Sequence, residues 1–436
     1  MLDIKFIREN DSIVKKAVRD KGMDLDIDKL LALEEKKRAL QTEIQEYNQL
    51  KNQTSKEIPK LGADEKKQKI QEMKEVDKKS DKAREQLKEL VTEYNRLMFL
   101  VPNIPSSQTP VGVDESANQE IAKWGDLPKF DFAPKSHIEL GEDLRILDLK
   151  SGVKASGFRG YYLMREGALM HMAVLQYALE KLLKAGFTPI IPPTLLREYV
   201  LFGSGHFPFG REEVYQIGNP HTLSETGEDI SKEKLYLSGT SEPALLAYHA
   251  DEVLDEKDLP VKLCAISPCY RSEVGSYGKD TKGIYRIHEF MKVEQVVLCK
   301  NDIEESMKWL KDLEMISREI LEDLELPYRV IINSTGDHGA GKYEMHDIET
   351  WMPSRNGYGE THSDSSLTDW QARRLNIRYR DKQGELHYVH TLNNTAIASP
   401  RILIALWENY QQKDGSIKIP KVLQKFVGKK VISNNK

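Results

Sequence analysis

Apolar residues recur every three or four positions through residues 28–98, and most positions between them are charged or amide-bearing. This spacing is typical of a coiled-coil seam, because it lines one face of a helix with apolar side chains. Proline and glycine at 58–62 end the first run, and Asp64 is predicted to cap the next helix. The seam residues are Leu30, Leu33, Leu40, Ile44 and Tyr47, then Met73, Val76, Ser80, Ala83, Leu87, Leu90, Tyr94 and Leu97. The pattern predicts an antiparallel two-helix hairpin, about 45–50 Å long at about 1.5 Å per residue.

A hairpin of this length cannot bury its whole surface, so it must project into solvent. Its tip is locally basic, with Lys51, Lys56, Lys60, Lys66, Lys67 and Lys69 against Glu57, Asp64 and Glu65. One interpretation is a solvated scaffold or dimerisation coil. The other is an arm that binds a polyanion such as RNA through its phosphates. Charge alone leaves both open.

Beyond the hairpin the pattern changes to an apolar helix followed by short strands. Residues 166–185 present one apolar helical face and end at Gly186, with Leu169, Ala173, Tyr177 and Leu182 on that face. Strand-like runs at 328–333, 346–352, 377–380 and 386–392 are joined by short polar turns, which favours an antiparallel sheet. The predicted fold class is therefore α+β, with a two-helix coiled-coil arm followed by an antiparallel sheet flanked by helices.

Proline and serine are dense at residues 100–112, which marks a boundary between domains. The predicted segments are a helical arm at 1–100, a linker at 101–115, a globular domain at 116–425 and a disordered tail at 426–436.

Composition narrows the possibilities. A chain of 436 residues allows two or three domains, and 39% hydrophobic with 31% charged residues fits a soluble protein. The net charge of −5 excludes a globally basic nucleic-acid binder but allows a local basic patch. Cys264, Cys269 and Cys299 form no CxxC pair, so reduced, buried cysteines are expected. Without a membrane-length apolar run or a signal peptide, the expected location is the cytosol, with no membrane partner.

The densest chemistry lies between residues 261 and 299. Two apolar runs, 261–270 and 284–299, flank a loop containing Gly275, Gly278 and Gly283, which predicts a long β-hairpin. Because alternate residues of a strand share a face, Arg271 can point with Glu273, and Arg286 with Phe290 and Glu294. Arginines beside an aromatic ring suit the phosphates and base of a nucleotide. Solvated hairpin charges over a buried phenylalanine are the alternative.

Three further groups of residues are candidates. Thr240 and Glu242 follow a short strand and could receive an ammonium group, although Glu242 could equally cap a helix. Glu360 and Ser363 offer oxygen ligands of the kind that Mg²⁺ takes. Arg401 opens a helix, which suits phosphate or base contact but is also a common surface position.

Taken in order, these motifs resemble the seryl-tRNA synthetases, which are class II aminoacyl-tRNA synthetases, here of bacterial type. The helical hairpin is similar to that family's tRNA-binding arm, and the resemblance covers nearly the whole chain. The matching segments are the helix ending at Gly186 with Pro192, Tyr270 to Glu273 with Phe290, Asn393 to Arg401, and the turn Gly239 to Glu242.

The resemblance implies an ATP-dependent ligation of L-serine to tRNA(Ser) through a seryl-adenylate, with tRNA(Sec) as a further candidate substrate. It also implies Mg²⁺, a homodimer and a cytoplasmic location. The implied catalytic residues are Arg271, Glu360 and Arg401. The implied ATP contacts are Arg271, Glu273, Arg286, Phe290, Glu360, Ser363 and Arg401. The implied serine contacts are Thr240, Glu242, Arg271, Glu294, Asn393 and Thr395, and the implied metal ligands are Glu360 and Ser363.

Finer roles follow from the same resemblance. Arg271 would hold the α-phosphate and the serine carboxylate, and Arg286 the distal phosphates. Phe290 and Arg401 would sandwich the adenine. Asn394 stands where the family commonly has glycine, and it is expected to tighten the serine pocket. No Cys/His cluster points to the zinc-dependent branch of the family.

Two rival interpretations remain at this point. An adenylate-forming enzyme that passes its amino acid to a carrier would be expected to lack the arm. A scaffold without activity would be expected to lack Arg271, Glu360 or Arg401, and this chain has all three.

Overall fold

The computed structural model describes residues 1–218, 234–274 and 282–434. The predicted loop glycines Gly275 and Gly278 lie outside these ranges. The chain divides into two compact units, Leu2–Pro102 and Asn103–Lys436, with Met1 assigned to the second. Among the described residues, no helix combines the length and the apolar character needed to cross a membrane.

The first unit is the helical arm. Its helices are α1 (Ile4–Glu9), α2 (Asp11–Asp20), α3 (Ile27–Glu57) and α4 (Ala63–Leu100). Helices α3 and α4 run antiparallel, since Lys29 Nζ lies 2.9 Å from Glu93 Oε1 near the base and Arg84 Nη2 donates to Asn48 Oδ1 at 3.0 Å farther out. The predicted seam is confirmed, because its residues are buried or half-buried along both helices.

The cap of the second arm helix differs from the prediction. Helix α4 begins at Ala63 with Gly62 as its N-cap residue, and the Glu65 carboxylate accepts from Gly62 N at 3.3 Å. Asp64 therefore lies in the first turn, where its charge still favours the helix N-terminus. The prediction that Asp64 caps the helix is wrong, because the chain enters the helix two residues earlier.

The second unit contains a sheet with helices on both faces. Its helices are α5 (His137–Asp143), α6 (Leu149–Ser156), α7 (Arg165–Lys184), α8 (Glu198–Ser204), α9 (Glu242–Ala247), α10 (Ile303–Asp323), α11 (Trp370–Leu375), α12 (Arg401–Asn409) and α13 (Gln424–Val427). Its strands are β1 (Gln119–Trp124), β2 (Leu147–Asp148), β3 (Tyr162–Leu163), β4 (Thr188–Ile190), β5 (Leu195–Arg197), β6 (Leu235–Leu237), β7 (Val253–Asp255), β8 (Val261–Tyr270), β9 (Glu289–Cys299), β10 (Tyr328–Ile332), β11 (Glu344–Met352), β12 (Gly357–Thr368), β13 (Arg378–Arg380), β14 (Leu386–Tyr388), β15 (His390–Ser399), β16 (Ile417–Lys418) and β17 (Val431–Ile432).

The largest sheet in the described residues has the strand order β1-β10-β11-β12-β15-β9-β8-β4. Its pairings are antiparallel, as the short polar turns predict, except that the edge strand β4 runs parallel to β8. One face packs on α7, α10 and α12, whose apolar residues join those of the strands in the main core. A smaller core around α9 and α11 covers one end of the opposite face and leaves the rest open as a cleft.

Three boundaries of the second unit depart from the sequence prediction. The return strand of the hairpin starts at Glu289, so Arg286 precedes it. The linker predicted at 101–115 instead packs within the second unit from Asn103, whose buried amide donates to Leu367 O at 2.9 Å. The prediction of a disordered tail at 426–436 is wrong for residues 426–434, because β17 there pairs with β16 and buries Ile432.

Candidate functional site

A cleft on the open face of the sheet encloses about 930 Å³, including its mouth. Strands β9, β12 and β15 form its floor, and the start of α12 and the segment after β6 form its sides. Of the twelve predicted site residues, eleven line this cleft: Thr240, Glu242, Arg271, Glu273, Phe290, Glu294, Glu360, Ser363, Asn393, Thr395 and Arg401. The predicted site residues therefore converge on one cavity.

Arg286 is the predicted site residue that does not line the cleft, and an ion pair still connects it to the site. Its Nη1 donates to Glu273 Oε2 at 2.7 Å, and Arg159 Nη1 lies 3.8 Å from the same oxygen. Glu273 has a φ of 54°, a left-handed conformation that is strained for a side chain of this size. These residues are therefore grouped by ion pairs that lie outside the strands. The sequence predicts the grouping from the alternation of side chains along the strands.

Arg271 follows directly on β8, and its guanidinium remains accessible. Its Nε donates to Gly239 O at a long 3.4 Å, and its Cζ lies 5.3 Å from the centre of the Phe290 ring. A planar cation over an aromatic face is favourable and keeps the guanidinium edge pointing away from the ring. Most of its N–H donors are therefore available to an anion in the cleft.

Arg401, at the start of α12, is held more firmly. Its Nε donates to Tyr285 O and its Nη1 to Glu360 O, both at 3.0 Å. Its Cζ lies 4.4 Å from the centre of the Tyr285 ring. Each cleft arginine thus has its own aromatic neighbour, and the predicted sandwich of a base between Phe290 and Arg401 stays a prediction.

A β-bulge brings Glu360 and Ser363 to the same face. Three residues apart, they would point to opposite sides of a regular strand. The register between β11 and β12 shifts at Thr361, so that Glu360 pairs with Glu349 and Ser363 pairs with Asp347. Both side chains consequently line the cleft.

Beside this pair lies a second carboxyl group, that of Asp347. Burial raises its pKa to about 8, the charge of Glu360 adds to the effect, and hydrogen bonds from Asn333 and Ser363 oppose it. Asp347 Oδ1 is buried without a hydrogen-bond partner in the described part of the chain. Oxygen donors with excess negative potential are what a hard divalent cation requires, so the residues fit Mg²⁺.

The opposite end of the cleft is a smaller polar pocket formed by Thr240, Glu242, Glu294, Asn393 and Thr395. Gln371 Nε2 donates to Glu242 Oε1 at 2.6 Å. Burial alone would raise the pKa of Glu242, but the charges of Lys342 and His206, together with this hydrogen bond, leave its pKa below the ordinary value. An ionised carboxylate in this position can receive an ammonium group.

Asn393 has an unsatisfied amide group in this pocket. Its side chain is only 5% exposed, and its Nδ2 has no hydrogen-bond partner among the described residues. An unsatisfied buried amide is costly, and such groups in native structures usually have a functional explanation. An acceptor atom on a bound ligand would satisfy it.

Several lining residues escaped the sequence analysis: His206, Ile284, Tyr285, Ile287, Lys292, Lys342, Thr361, His362, Ala398, Ser399 and Pro400. Strand alternation could have identified Lys292, because it lies midway between Phe290 and Glu294 on β9. No short-range signal points to Lys342, which reaches the cleft from the segment between β10 and β11.

The prediction that Asn394 tightens the pocket is wrong. Asn394 is fully buried on the opposite face of the sheet, where its Nδ2 donates to Leu313 O at 2.8 Å and to Ser317 Oγ at 3.0 Å on α10. Its neighbours Asn393 and Thr395 point to the cleft, so alternation along β15 directs Asn394 away from it.

Two protein-family models match parts of this chain. The family model described as the tRNA synthetase class II core domain (G, H, P, S and T) matches residues 225–410. A largely antiparallel sheet carrying arginines and acidic groups in one open cleft is therefore that of a class II aminoacyl-tRNA synthetase. A second model, the seryl-tRNA synthetase N-terminal domain, matches residues 1–105, which include the helical arm.

Whole-chain relatives define the family. A serine–tRNA ligase of Deinococcus radiodurans is 43% identical over 98% of both chains. The crystal structure of seryl-tRNA synthetase from Pyrococcus horikoshii complexed with ATP is 38% identical, covers 99% of both chains and superposes with a TM-score of 0.89. A cytoplasmic serine–tRNA ligase from Naegleria fowleri in complex with AMP is 29% identical, covers 100% of this chain and 99% of its own, and has a TM-score of 0.86. The chain belongs to the seryl-tRNA synthetase family.

Proposed function

We propose that this chain activates L-serine with ATP and transfers it to the terminal ribose of tRNA(Ser). The main observation behind the proposal is that Arg271 lines the same cleft as Arg401 and Glu360. The polar pocket around Asn393 is part of this cleft as well. Family membership and the ATP and AMP complexes of the related structures support the same reaction.

ATP would occupy the end of the cleft that holds the arginines. Phe290 and Arg401 offer flat faces for the adenine, and the guanidinium of Arg271 offers donors for phosphate oxygens. Arg286, which lies outside the cleft lining, would meet the distal phosphates. Glu273, fixed between Arg286 and Arg159, would orient these donors and contact the adenine or the tRNA end. These assignments deepen the proposal residue by residue.

Serine would occupy the polar pocket. Glu242 and Thr240 would receive its ammonium group, Asn393 would donate to its carboxylate, and Glu294 with Thr395 would bind its hydroxyl. The substrate carboxylate then attacks the α-phosphorus in line, and no protein nucleophile is needed. Arg271 spans the two substrates, so the protein's contribution is positioning and neutralisation of developing phosphate charge.

Glu360 and Ser363 would hold Mg²⁺, with Asp347 as a supporting carboxyl group. When bound, the ion would offset charge on the phosphates and keep the ATP chain in one conformation.

The helical arm would bind tRNA. Lys56, Lys60, Lys66 and Lys67 are exposed near its tip and, among the described residues, have no ion-pair partner. Exposed, unpaired lysines bind phosphates without reading sequence. Transfer of serine therefore needs the arm, whereas activation of serine needs only the cleft.

The enzyme would act as a homodimer in the cytoplasm. On α7, Leu169 and Met172 are 46% and 62% exposed, and Ile191 after β4 is 94% exposed. Leu169 lies on the helix face that the sequence predicts to be apolar, and exposed apolar side chains of this kind suit an interface between copies. The buried, free cysteines are compatible with a reducing compartment.

Replacing Arg271 tests the position of the phosphate contact. We expect Arg271→Ala to lower serine-dependent ATP–pyrophosphate exchange by at least about a hundredfold, because a transition-state donor is lost. Arg329→Ala is the matched control, since Arg329 pairs with Glu349 outside the cleft and its loss should leave exchange unchanged. Exchange close to wild type in Arg271→Ala would refute the assignment.

Replacing Glu360 tests the metal site. We expect Glu360→Gln to raise the Mg²⁺ concentration for half-maximal exchange about tenfold or more, since an anionic ligand is lost. Glu349→Gln, on the adjacent strand and paired with Glu360 in register, is the control. An identical Mg²⁺ dependence in the two variants would remove Glu360 from the metal site.

Deleting residues 28–98 tests the arm. Pyrophosphate exchange should stay within about twofold of wild type, whereas charging of total tRNA should fall by at least about a hundredfold, because most phosphate contacts disappear. The substitution of Lys56, Lys60, Lys66 and Lys67 by Gln keeps the hairpin and should weaken charging most strongly at low salt, because each lost phosphate contact also removes part of the salt dependence. Normal charging by the deletion variant would exclude the arm from tRNA binding.

Met172→Glu tests the dimer. A charge placed in an apolar interface is not solvated, so this variant should elute as a monomer of 50.0 kDa while wild type has twice that mass in light scattering. Met315→Glu, at a 46% exposed position on α10, should leave the wild-type mass unchanged. A monomeric wild type would exclude the dimer.

A further inference from the structure

Lys292 lies in the floor of the cleft and has no part in the roles described above. It is 6% exposed and stands on β9 between Phe290 and Glu294. Its Nζ lies 2.6 Å from Glu294 Oε2 and donates to Thr395 Oγ1 at 3.4 Å. Burying an ammonium group is costly unless it is paired, and here both of its partners are residues of the proposed serine pocket.

We propose that Lys292 is a positioning residue for serine selection, which fixes Glu294 as a hydrogen-bond acceptor and Thr395 as a hydrogen-bond donor towards the substrate hydroxyl. The inference rests on the proposed function, because it concerns the amino-acid pocket of that reaction.

The direction of the hydrogen bonds carries the argument. An ammonium group can only donate, so it uses acceptor capacity on Glu294 and on Thr395. Thr395, having accepted from Lys292, keeps its own O–H to donate. Glu294, paired with that ammonium through Oε2, keeps its other oxygen to accept. Glu294 and Thr395 are paired in register across β9 and β15, so their side chains lie side by side.

A primary hydroxyl fits this pair, because it can donate to Glu294 and accept from Thr395 at the same time. Alanine and glycine would leave both groups unsatisfied, which is the most effective way for a site to reject a smaller substrate. Without the fixed ammonium, Thr395 could reverse its hydroxyl and Glu294 could take up a proton. The pocket would then no longer present one fixed acceptor and one fixed donor to the serine hydroxyl.

The surroundings of Glu294 make its charge depend on Lys292. Burial, with the charge of Glu242 on α9, holds the pKa of Glu294 above its ordinary value, and the ammonium groups of Lys292 and Lys342 oppose that rise. The thiol of Cys269 on β8 also lies near this pair. Removing Lys292 leaves Lys342 near both carboxylates and His206 near Glu242, so Glu294 would stay protonated to a higher pH.

The test is serine-dependent pyrophosphate exchange by Lys292→Met, measured from pH 6.5 to 8.5. We expect the KM for serine at pH 7 to rise about tenfold or more, with the KM for ATP within about twofold of wild type. The serine KM should fall as the pH rises, since the ionised fraction of Glu294 grows. The preference for serine over alanine should decrease about tenfold.

Two further variants separate positioning from a general structural role. Lys292→Arg keeps a buried cation and should recover most of the serine affinity. Lys262→Met is the matched control, because Lys262 stands on the neighbouring strand β8 and donates to Ala185 O at 2.7 Å. Its serine KM and pH profile should equal those of wild type.

The double variant Lys292→Met with Glu294→Gln keeps the test decisive if Lys292→Met alone does not fold, because it leaves no lone buried charge. Its serine KM should be raised and independent of pH. The proposal is overturned if Lys292→Met matches Lys262→Met, or if the pH dependence survives in the double variant. A wild-type enzyme without serine-dependent exchange would instead refute the proposed function.

Discussion

The arrangement of the cleft depends on strand register in the central sheet, above all on the pairing of β9, β12 and β15. In an antiparallel sheet, a slip of one residue moves every side chain to the opposite face. Here such a slip in β15 would exchange Asn393 and Thr395 for Asn394, which points to α10. Register is therefore what separates cleft-facing from core-facing polar groups on the same strand.

Two bulges refine that register at the points where chemistry requires it. The shift at Thr361 lets Glu360 and Ser363 share a face, and a second shift at Ala396 lets Thr395 and Ala398 do the same. Bulges are common next to active sites, where they redirect a side chain. On the other face of the sheet, oxygen atoms of α10 accept from amide groups on β15 and β9. Gln295 Nε2, for example, donates to Leu313 O at 3.2 Å.

Features that follow from a short-range repeat of apolar and polar residues could be predicted from the sequence. The heptad seam identified the arm, and the strand pattern with its charges identified the hairpin. The resemblance to the seryl-tRNA synthetases supplied the full set of site residues, of which eleven line one cleft. Features set by neighbours in space were missed. Asn394 was assigned to the pocket because the family commonly has glycine there, and only the pairing of β15 with its neighbours shows which face each amide takes. Val431 and Ile432 are likewise ordered because they pair with strand β16, and no local pattern in the sequence indicates that pairing.

The two cleft arginines differ in how firmly they are oriented before a ligand binds. Arg401 donates to two backbone carbonyl oxygens, so its orientation is set before any ligand binds. Arg271 makes one long hydrogen bond and rests against Phe290, so most of its donors still face solvent. A fixed group costs no reorganisation when its ligand arrives, whereas a group whose donors face solvent has to be ordered on binding. If the proposed function holds, Arg401 would meet its part of the substrate in an orientation set in advance. Arg271 would become ordered only when the substrates bind.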